Sequence, residues 1–253
     1  MSVRSSTKLG LRRLTAPLLK NRDVRSWPAV AARIHDLSLP AAVVPNPESA
    51  PCGPANINII LDLLDQVSAV EGSVAECGVY RGKTLVPLAL HLRYTGSTKR
   101  IFGFDSFEGF PEAQLQQELG LAGKPVAGEV EDPNKNQAGF KGTSYALVKQ
   151  KLLTFGLGDV DLNKGYFSDT LIKCSDERFS FAHLDCDLYG SYKDCLEFFY
   201  PRLNMGGIIL LDEYNDPPWP GCTKAVDEFL ADKPERLQKI ERQNFEKYFL
   251  LKK

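Results

Sequence analysis

From Ile57 to the C-terminus the sequence alternates short apolar runs with helical patterns, and this rhythm constrains the fold more than any other feature. NINIILDLLDQVSAV places apolar residues at 57, 60, 61, 64 and 67, one face of a helix. SVAEC follows as a strand, then the Gly78-Val79-Tyr80-Arg81-Gly82 turn and a helical LVPLALHL. RIFGFD, VDLNKGYF, FSFAHLD and GIILLDEY read as further strands, and TSYALVKQKLLTFG, SYKDCLEFFYPRL and TKAVDEFLA as helices. Strands alternating with helices predict right-handed βαβ units and a mainly parallel sheet covered on both faces. ERLQKIERQ and KYFLLKK close the chain without a long helix between them, which predicts an antiparallel hairpin. The expected architecture is α/β: doubly wound, with a mainly parallel seven-stranded sheet and an N-terminal helical arm.

The chain has 253 residues, enough for one large domain with an appendage. We place the arm and a Pro-rich linker or lid at 1–55 and the α/β domain at 56–253. Over residues 1–25, Arg4, Lys8, Arg12, Arg13, Lys20, Arg22 and Arg25 stand against Asp23 alone. A basic amphipathic start fits a transit peptide, a surface-lying helix, or an arm packed on the core or on a second subunit. We take the last reading, which predicts a homo-oligomer. Residues 38–54 are Pro-rich, and 106–142 form a Gly- and Pro-rich, weakly periodic insertion of the kind that covers a site. A net charge of −1 gives no reason to expect nucleic acid or an anionic membrane as partner. No apolar run approaches the roughly 20 residues of a membrane span. Six cysteines without CxxC pairing or a preceding secretory signal point to reduced thiols in the cytoplasm.

In open α/β sheets ligands bind beyond the carboxyl ends of the strands. The first strand ends in Glu76-Cys77-Gly78-Val79-Tyr80-Arg81-Gly82-Lys83-Thr84, whose glycines let the backbone turn sharply and approach a ligand. Lys83 and Thr84 then open a helix whose free N–H groups favour an anion. The spacing fits neither phosphate motif: three residues separate Gly78 from Gly82, which matches neither G-x-G-x-x-G nor the P-loop. The second strand ends at Asp105, followed by Ser106, where a carboxylate suits the hydroxyls of a ribose. Together these features predict an adenosine-containing cofactor.

Acids also end two later strands, in Leu184-Asp185-Cys186-Asp187-Leu188-Tyr189 and Leu211-Asp212-Glu213-Tyr214. Neighbouring strands lie about 4.8 Å apart, so these carboxylates can converge. Clustered carboxylates repel unless a cation is present, and a hard divalent ion such as Mg²⁺ resolves the conflict. Such an ion can hold a hydroxyl and lower its pKa. His183 shares a face with Asp185 and reads as a satisfied core residue, and Cys186 as packing.

The strings Val74 to Thr84, FGFDSFEGFPE, KGYFSDTL, LDCDLYGSY, YPRLNMGGIILLDEY and GCTKAVDEF, taken in order, resemble the macrocin O-methyltransferase family over roughly 57–252. A more distant similarity runs to catechol O-methyltransferase. The resemblance implies the Rossmann-like fold of class I S-adenosylmethionine (SAM) methyltransferases with an antiparallel final strand. It also implies Mg²⁺-dependent methylation of a sugar hydroxyl on a natural product. Glu76, Gly78, Tyr80, Gly82, Lys83 and Thr84 would bind the methionine end of SAM, Asp105 and Ser106 the ribose, and Phe167 and Ser168 the adenine. Asp185, Asp212 and Glu213 would hold the metal, with Glu213 standing where the family usually has Asp. Asp187, Tyr189 and Tyr214 would face the substrate, and Asp185 or Asp187 would be the general base. Two rival readings are a metal-dependent glycosyltransferase built on Asp185-Cys186-Asp187, which leaves the glycine turn unexplained, and a SAM-binding scaffold, which predicts an eroded acid cluster.

Overall fold

The computed structural model describes residues 54–122, 140, 142–242 and 245–253. The basic arm, nearly all of the Pro-rich segment and the middle of the 106–142 insertion lie outside the described residues. Helix α1 (Pro54–Gln66) leads into β1 (Ser73–Cys77), α2 (Leu85–Tyr94), β2 (Ile101–Asp105) and α3 (Glu112–Ala122). Then come α4 (Tyr145–Thr154), β3 (Asp161–Lys164), the short α5 (Phe167–Thr170), β4 (Phe179–Leu184) and α6 (Tyr189–Phe199). The chain ends with β5 (Leu203–Leu211), α7 (Pro220–Leu230), β6 (Leu237–Arg242) and β7 (Phe245–Leu251).

The seven strands form one sheet in the order β3-β2-β1-β4-β5-β7-β6. The first five pair in parallel, while β7 runs antiparallel to both β5 and β6. This is the doubly wound sheet and closing hairpin expected from the sequence. The order reverses beside β1, which turns first to β2 and later to β4, so a crevice opens above its carboxyl end.

Period-2 alternation in each strand divides the core in two. Val74, Phe181, Ile208 and Leu210 face α1, α2 and α4 through Ile59, Leu63, Leu85, Leu88 and Leu152. Ala75, Cys77, Ala182, Leu184, Ile209 and Leu211 face α6 and α7 through Tyr192, Leu196, Phe199 and Val226. The central strands are buried on both faces, which explains their near-continuous apolar sequences.

The described part of the insertion contains a helix that weak periodicity had concealed. Only Leu115 and Glu118 of α3 are buried, so its inner face is marked by an acid instead of an apolar stripe. Leu115 packs with Leu188 and Trp219, and Phe110 and Phe140 border the same cluster.

Candidate active site

A cavity of about 600 Å³ lies above the carboxyl ends of the strands, a size that suits a cofactor together with a small acceptor. One end is made by the β1–α2 turn. Gly78 has φ 95°, and a β-carbon there would overlap the backbone carbonyl of Asp185, so glycine allows the ends of β1 and β4 to meet. Tyr80 follows with φ 48°. Its backbone N–H donates to Asp105 Oδ2 at 2.7 Å, and the Phe107 N–H donates to Oδ1 at 2.6 Å. Burial raises the pKa of Asp105 while these backbone donors oppose the rise. The carboxylate is thereby fixed at the cavity wall, and its remaining lone pairs can accept further donors.

Among the described residues other than glycine, Tyr80, Phe107, Phe140, Asp187 and Asn215 have positive φ. All but Phe107 line the cavity, and Phe107 adjoins Ser106, which does. Sparsely populated backbone conformations concentrated at one cavity are characteristic of functional sites.

The acids occupy the centre. Glu76 pairs in register with His183 on β4, and His183 with Leu210 on β5. Glu76, His183 and Asp212 therefore point to the α1–α2 side of the sheet. The His183 ring meets Glu76 Oε1 through Nδ1 and Asp212 Oδ1 through Nε2, each at 3.2 Å. Burial works against protonation of His183, but hydrogen bonds to the two acids outweigh it and raise the pKa to about 10. Lys247, at the start of β7, reaches Asp212 Oδ2 at 2.8 Å and also donates to its backbone carbonyl at 2.7 Å. Two cations thus flank Asp212 and hold it ionised.

Glu213 points to the opposite face. Tyr192 Oη donates to Glu213 Oε2 at 2.6 Å, and the Asp187 N–H lies at 3.4 Å from the same oxygen. One oxygen each from Asp185, Asp187 and Glu213 lies within 4.8 Å of the others. Burial first, and then repulsion by neighbouring acids, raises the pKa of all three: Asp212 repels Asp185, whose pKa rises to about 6, and Asp185 and Asp212 repel Asp187 and Glu213. Three hard oxygen donors that resist ionising together fit a divalent cation.

The sequence-predicted residues separate into three groups. Gly78, Tyr80, Lys83, Thr84, Asp105, Ser106, Phe167, Ser168, Asp185, Asp187, Asp212, Glu213 and Tyr214 all line the cavity. Glu76, Gly82 and Tyr189 do not. Glu76 is wholly buried beneath the wall, with Oε2 unpaired among the described residues, and Tyr189 donates its hydroxyl to Glu228 at 2.6 Å. Of the expected metal set, Asp185 and Glu213 converge, Asp187 joins them, and Asp212 is bound to His183 and Lys247. Sequence reasoning missed Lys247, Trp219, Phe110 and Asn56 as wall residues. The 3.2 Å contacts of His183 place it within the acid network, a role that its apolar strand concealed.

The strand order, the glycine turn and the strand-end acids define a chain with the Rossmann-like fold of SAM methyltransferases. Residues 45–246 match the family model described as Macrocin-O-methyltransferase (TylF), and the chain belongs to that family. It is 32% identical over 163 residues to the mycinamicin III 3''-O-methyltransferase of Micromonospora griseorubida, covering 63% of this chain and 61% of the relative. It is 34% identical over 163 residues to the 8-demethyl-8-(2,3-dimethoxy-alpha-L-rhamnosyl)-tetracenomycin-C 4'-O-methyltransferase of Streptomyces olivaceus, covering 63% and 58%. The matched region thus spans about 60% of the length of these curated relatives. Among solved structures, the O-methyltransferase NovP superposes with TM-score 0.63 at 25% identity, covering 79% of this chain and 81% of that one. A calicheamicin methyltransferase gives TM-score 0.64 at 24% identity, covering 99% and 93%, a likeness of fold. Among the described residues no helix is long and apolar enough to cross a membrane.

Proposed function

We propose that this protein is a SAM-dependent O-methyltransferase that uses a divalent cation, with Mg²⁺ the expected ion, to methylate a sugar hydroxyl of a glycosylated natural product. The observation carrying this reading is the convergence of Asp185, Asp187 and Glu213 in the same cavity as Asp105 and the Gly78 turn. The relatives' names supply the acceptor class. The methionine end of the cofactor falls to Gly78, Tyr80, Lys83 and Thr84, the ribose to Asp105 and Ser106, and the adenine to Phe167 and Ser168. Asp185 and Glu213 would hold the cation, with Asp187 and Asp212 as further acids of the site.

SAM supplies an activated methyl group, and the cation lowers the pKa of the acceptor hydroxyl. The chain's own residues supply position and proton transfer. Asp185 and Asp187 stand at the cavity wall as acceptors for the hydroxyl proton, and burial has already raised the proton affinity of both. His183 and Lys247 keep Asp212 oriented, and Tyr192 does the same for Glu213. Phe110, Phe140 and Trp219 form an edge-to-face cluster on the far wall, where an apolar sugar face would exclude water. Tyr214 lines the acceptor side.

Incubation with methyl-labelled SAM and a panel of glycosylated and catechol-like acceptors, with and without a chelator, tests the proposal. Label transfer to a glycoside that the chelator abolishes is the expected result. Chelator-resistant transfer would remove the metal, and absence of SAM binding would remove the enzyme reading altogether.

A further inference from the structure

Asn56 is the third residue of α1 and lines the cavity beside the Gly78–Thr84 turn. The residue is 3% exposed, and its Oδ1 has no hydrogen-bond partner among the described residues. A buried amide oxygen without a donor is costly to the free protein. Ile57, Ile59 and Ile60, which follow it, bury α1 against the apolar core. Leucine at position 56 would extend that pattern. The cost is offset only if a ligand brings a donor.

The fold says which donor. Asp105 and the Phe167–Ser168 segment lie on the β2–β3 side of β1, and that is the nucleoside side. Helix α1 packs against α2, β6 and β7, on the opposite side of the switch point. Its first turn therefore meets the end of the cavity where Lys83 and Thr84 open α2 and where the amino-acid part of the cofactor would lie. That part carries one strong donor, an α-ammonium with three N–H groups, and one anion, an α-carboxylate. An amide oxygen complements the former. The backbone N–H groups in the first turn of α1 have no acceptor within the helix and complement the latter.

We infer that Asn56 is a cofactor-binding residue whose Oδ1 accepts a hydrogen bond from the α-ammonium of the methionine portion of SAM. The inference rests on the cofactor assignment above and adds the helix before β1 to the site.

Calorimetric titration of S-adenosylhomocysteine and of its deaminated analogue, into the full-length wild type and Asn56→Leu, tests it. Asn56→Leu should weaken S-adenosylhomocysteine by about 10- to 100-fold, the range for a hydrogen bond to a charged group. Affinity for the deaminated analogue should change by less than about twofold, because the lost partner is missing from both sides of the comparison. Removing an unpaired buried oxygen should also leave the ligand-free melting temperature unchanged or higher, while Asn56→Asp, which keeps an acceptor oxygen, should bind S-adenosylhomocysteine better than Asn56→Leu does. Equal weakening of both ligands, no weakening of either, or a lower ligand-free melting temperature in Asn56→Leu would each overturn the inference. So would a raised acceptor KM with intact cofactor affinity. A wild type that bound neither ligand would instead remove the underlying cofactor reading, and the inference with it.

Discussion

Glu118 on α3 accepts the backbone N–H of Gly221 on α7 at 2.7 Å. Its other carboxylate oxygen accepts the N–H of Tyr189, the first residue of α6, at 2.9 Å. One fully buried acid thus closes the first turn of two helices, and both helix dipoles favour its charge. A β-carbon at position 221 would overlap the carboxylate, so packing requires the glycine.

This geometry makes Glu118 the anchor of the helix that covers the cavity. Glu118→Ala would leave two buried N–H donors unpaired, at a cost of about 1–3 kcal/mol each. The melting temperature should fall by several degrees, and Gly221→Ala should reproduce part of the loss by displacing the carboxylate. Hydrogen exchange read by mass spectrometry should accelerate across residues 112–122 before it does so in β4 or β5. Exchange that rose uniformly, or stayed unchanged over α3, would show that Glu118 does not hold the helix in place.

His183 is 1% exposed and stands between two acids. In His183→Leu, Glu76 would lose its only side-chain hydrogen-bond partner among the described residues, and Asp212 would keep Lys247. Removing the central member of a buried charged set costs about 3–5 kcal/mol. The urea midpoint should drop sharply. His183→Gln, which can still donate to one acid, should fall between wild type and leucine. Equal midpoints for leucine and wild type would mean that the network contributes no stability.

These two residues show how much of the molecule could be read in advance. The strands, the closing hairpin and the strand-end residues of the cavity wall were legible because buried parallel strands are apolar runs and ligand sites lie at strand ends. Helix α3 was not, since its buried face is marked by Glu118, and a carboxylate does not register as periodicity. Lys247 was hidden in another way. It sits at the start of an edge-side strand, and only the antiparallel return of β7 beside β5 brings its ammonium to Asp212. The division of labour among the acids likewise depends on side-chain direction. Asp212 and Glu213 are neighbours in sequence but point to opposite faces of the sheet, one toward His183 and the other toward Tyr192.

Divalent-cation binding offers a test of the acid cluster that does not need an acceptor. Asp185→Asn should weaken Mg²⁺ binding at least about tenfold, since one of few oxygen ligands loses its charge. Affinity for S-adenosylhomocysteine should stay within about twofold, because the nucleoside-side contacts are untouched. Without metal the variant should melt no lower than wild type, as one of three mutually repelling carboxylates has been neutralised. Added Mg²⁺ should then raise the melting temperature of wild type and not of the variant. An equal Mg²⁺-induced rise in both proteins would show that the cation, if bound, lies elsewhere.

Lys151 yields a prediction whose sign depends on pH. The residue is 6% exposed, and its ammonium on α4 donates to the carbonyl of Arg81 at 2.7 Å, which ties α4 to the Gly78–Thr84 turn. Burial, aided by the nearby charges of Lys83 and Arg81, lowers its pKa to about 8 from an ordinary value of 10.5. Between these two values the unfolded chain binds more protons at this site than the folded one does. Stability therefore rises with pH across that window through this group. Below about pH 8 the lysine is charged in both states, and the full cost of burying that charge is present. Relative to Lys151→Met, wild-type stability should accordingly improve as pH rises from about 8 to about 10.5, and the difference between the two proteins should be constant below pH 7. Urea unfolding of the pair at half-unit pH steps measures this directly. A difference that stayed flat throughout, or that narrowed in the opposite direction, would mean that Lys151 is not buried as a constrained cation behind the turn.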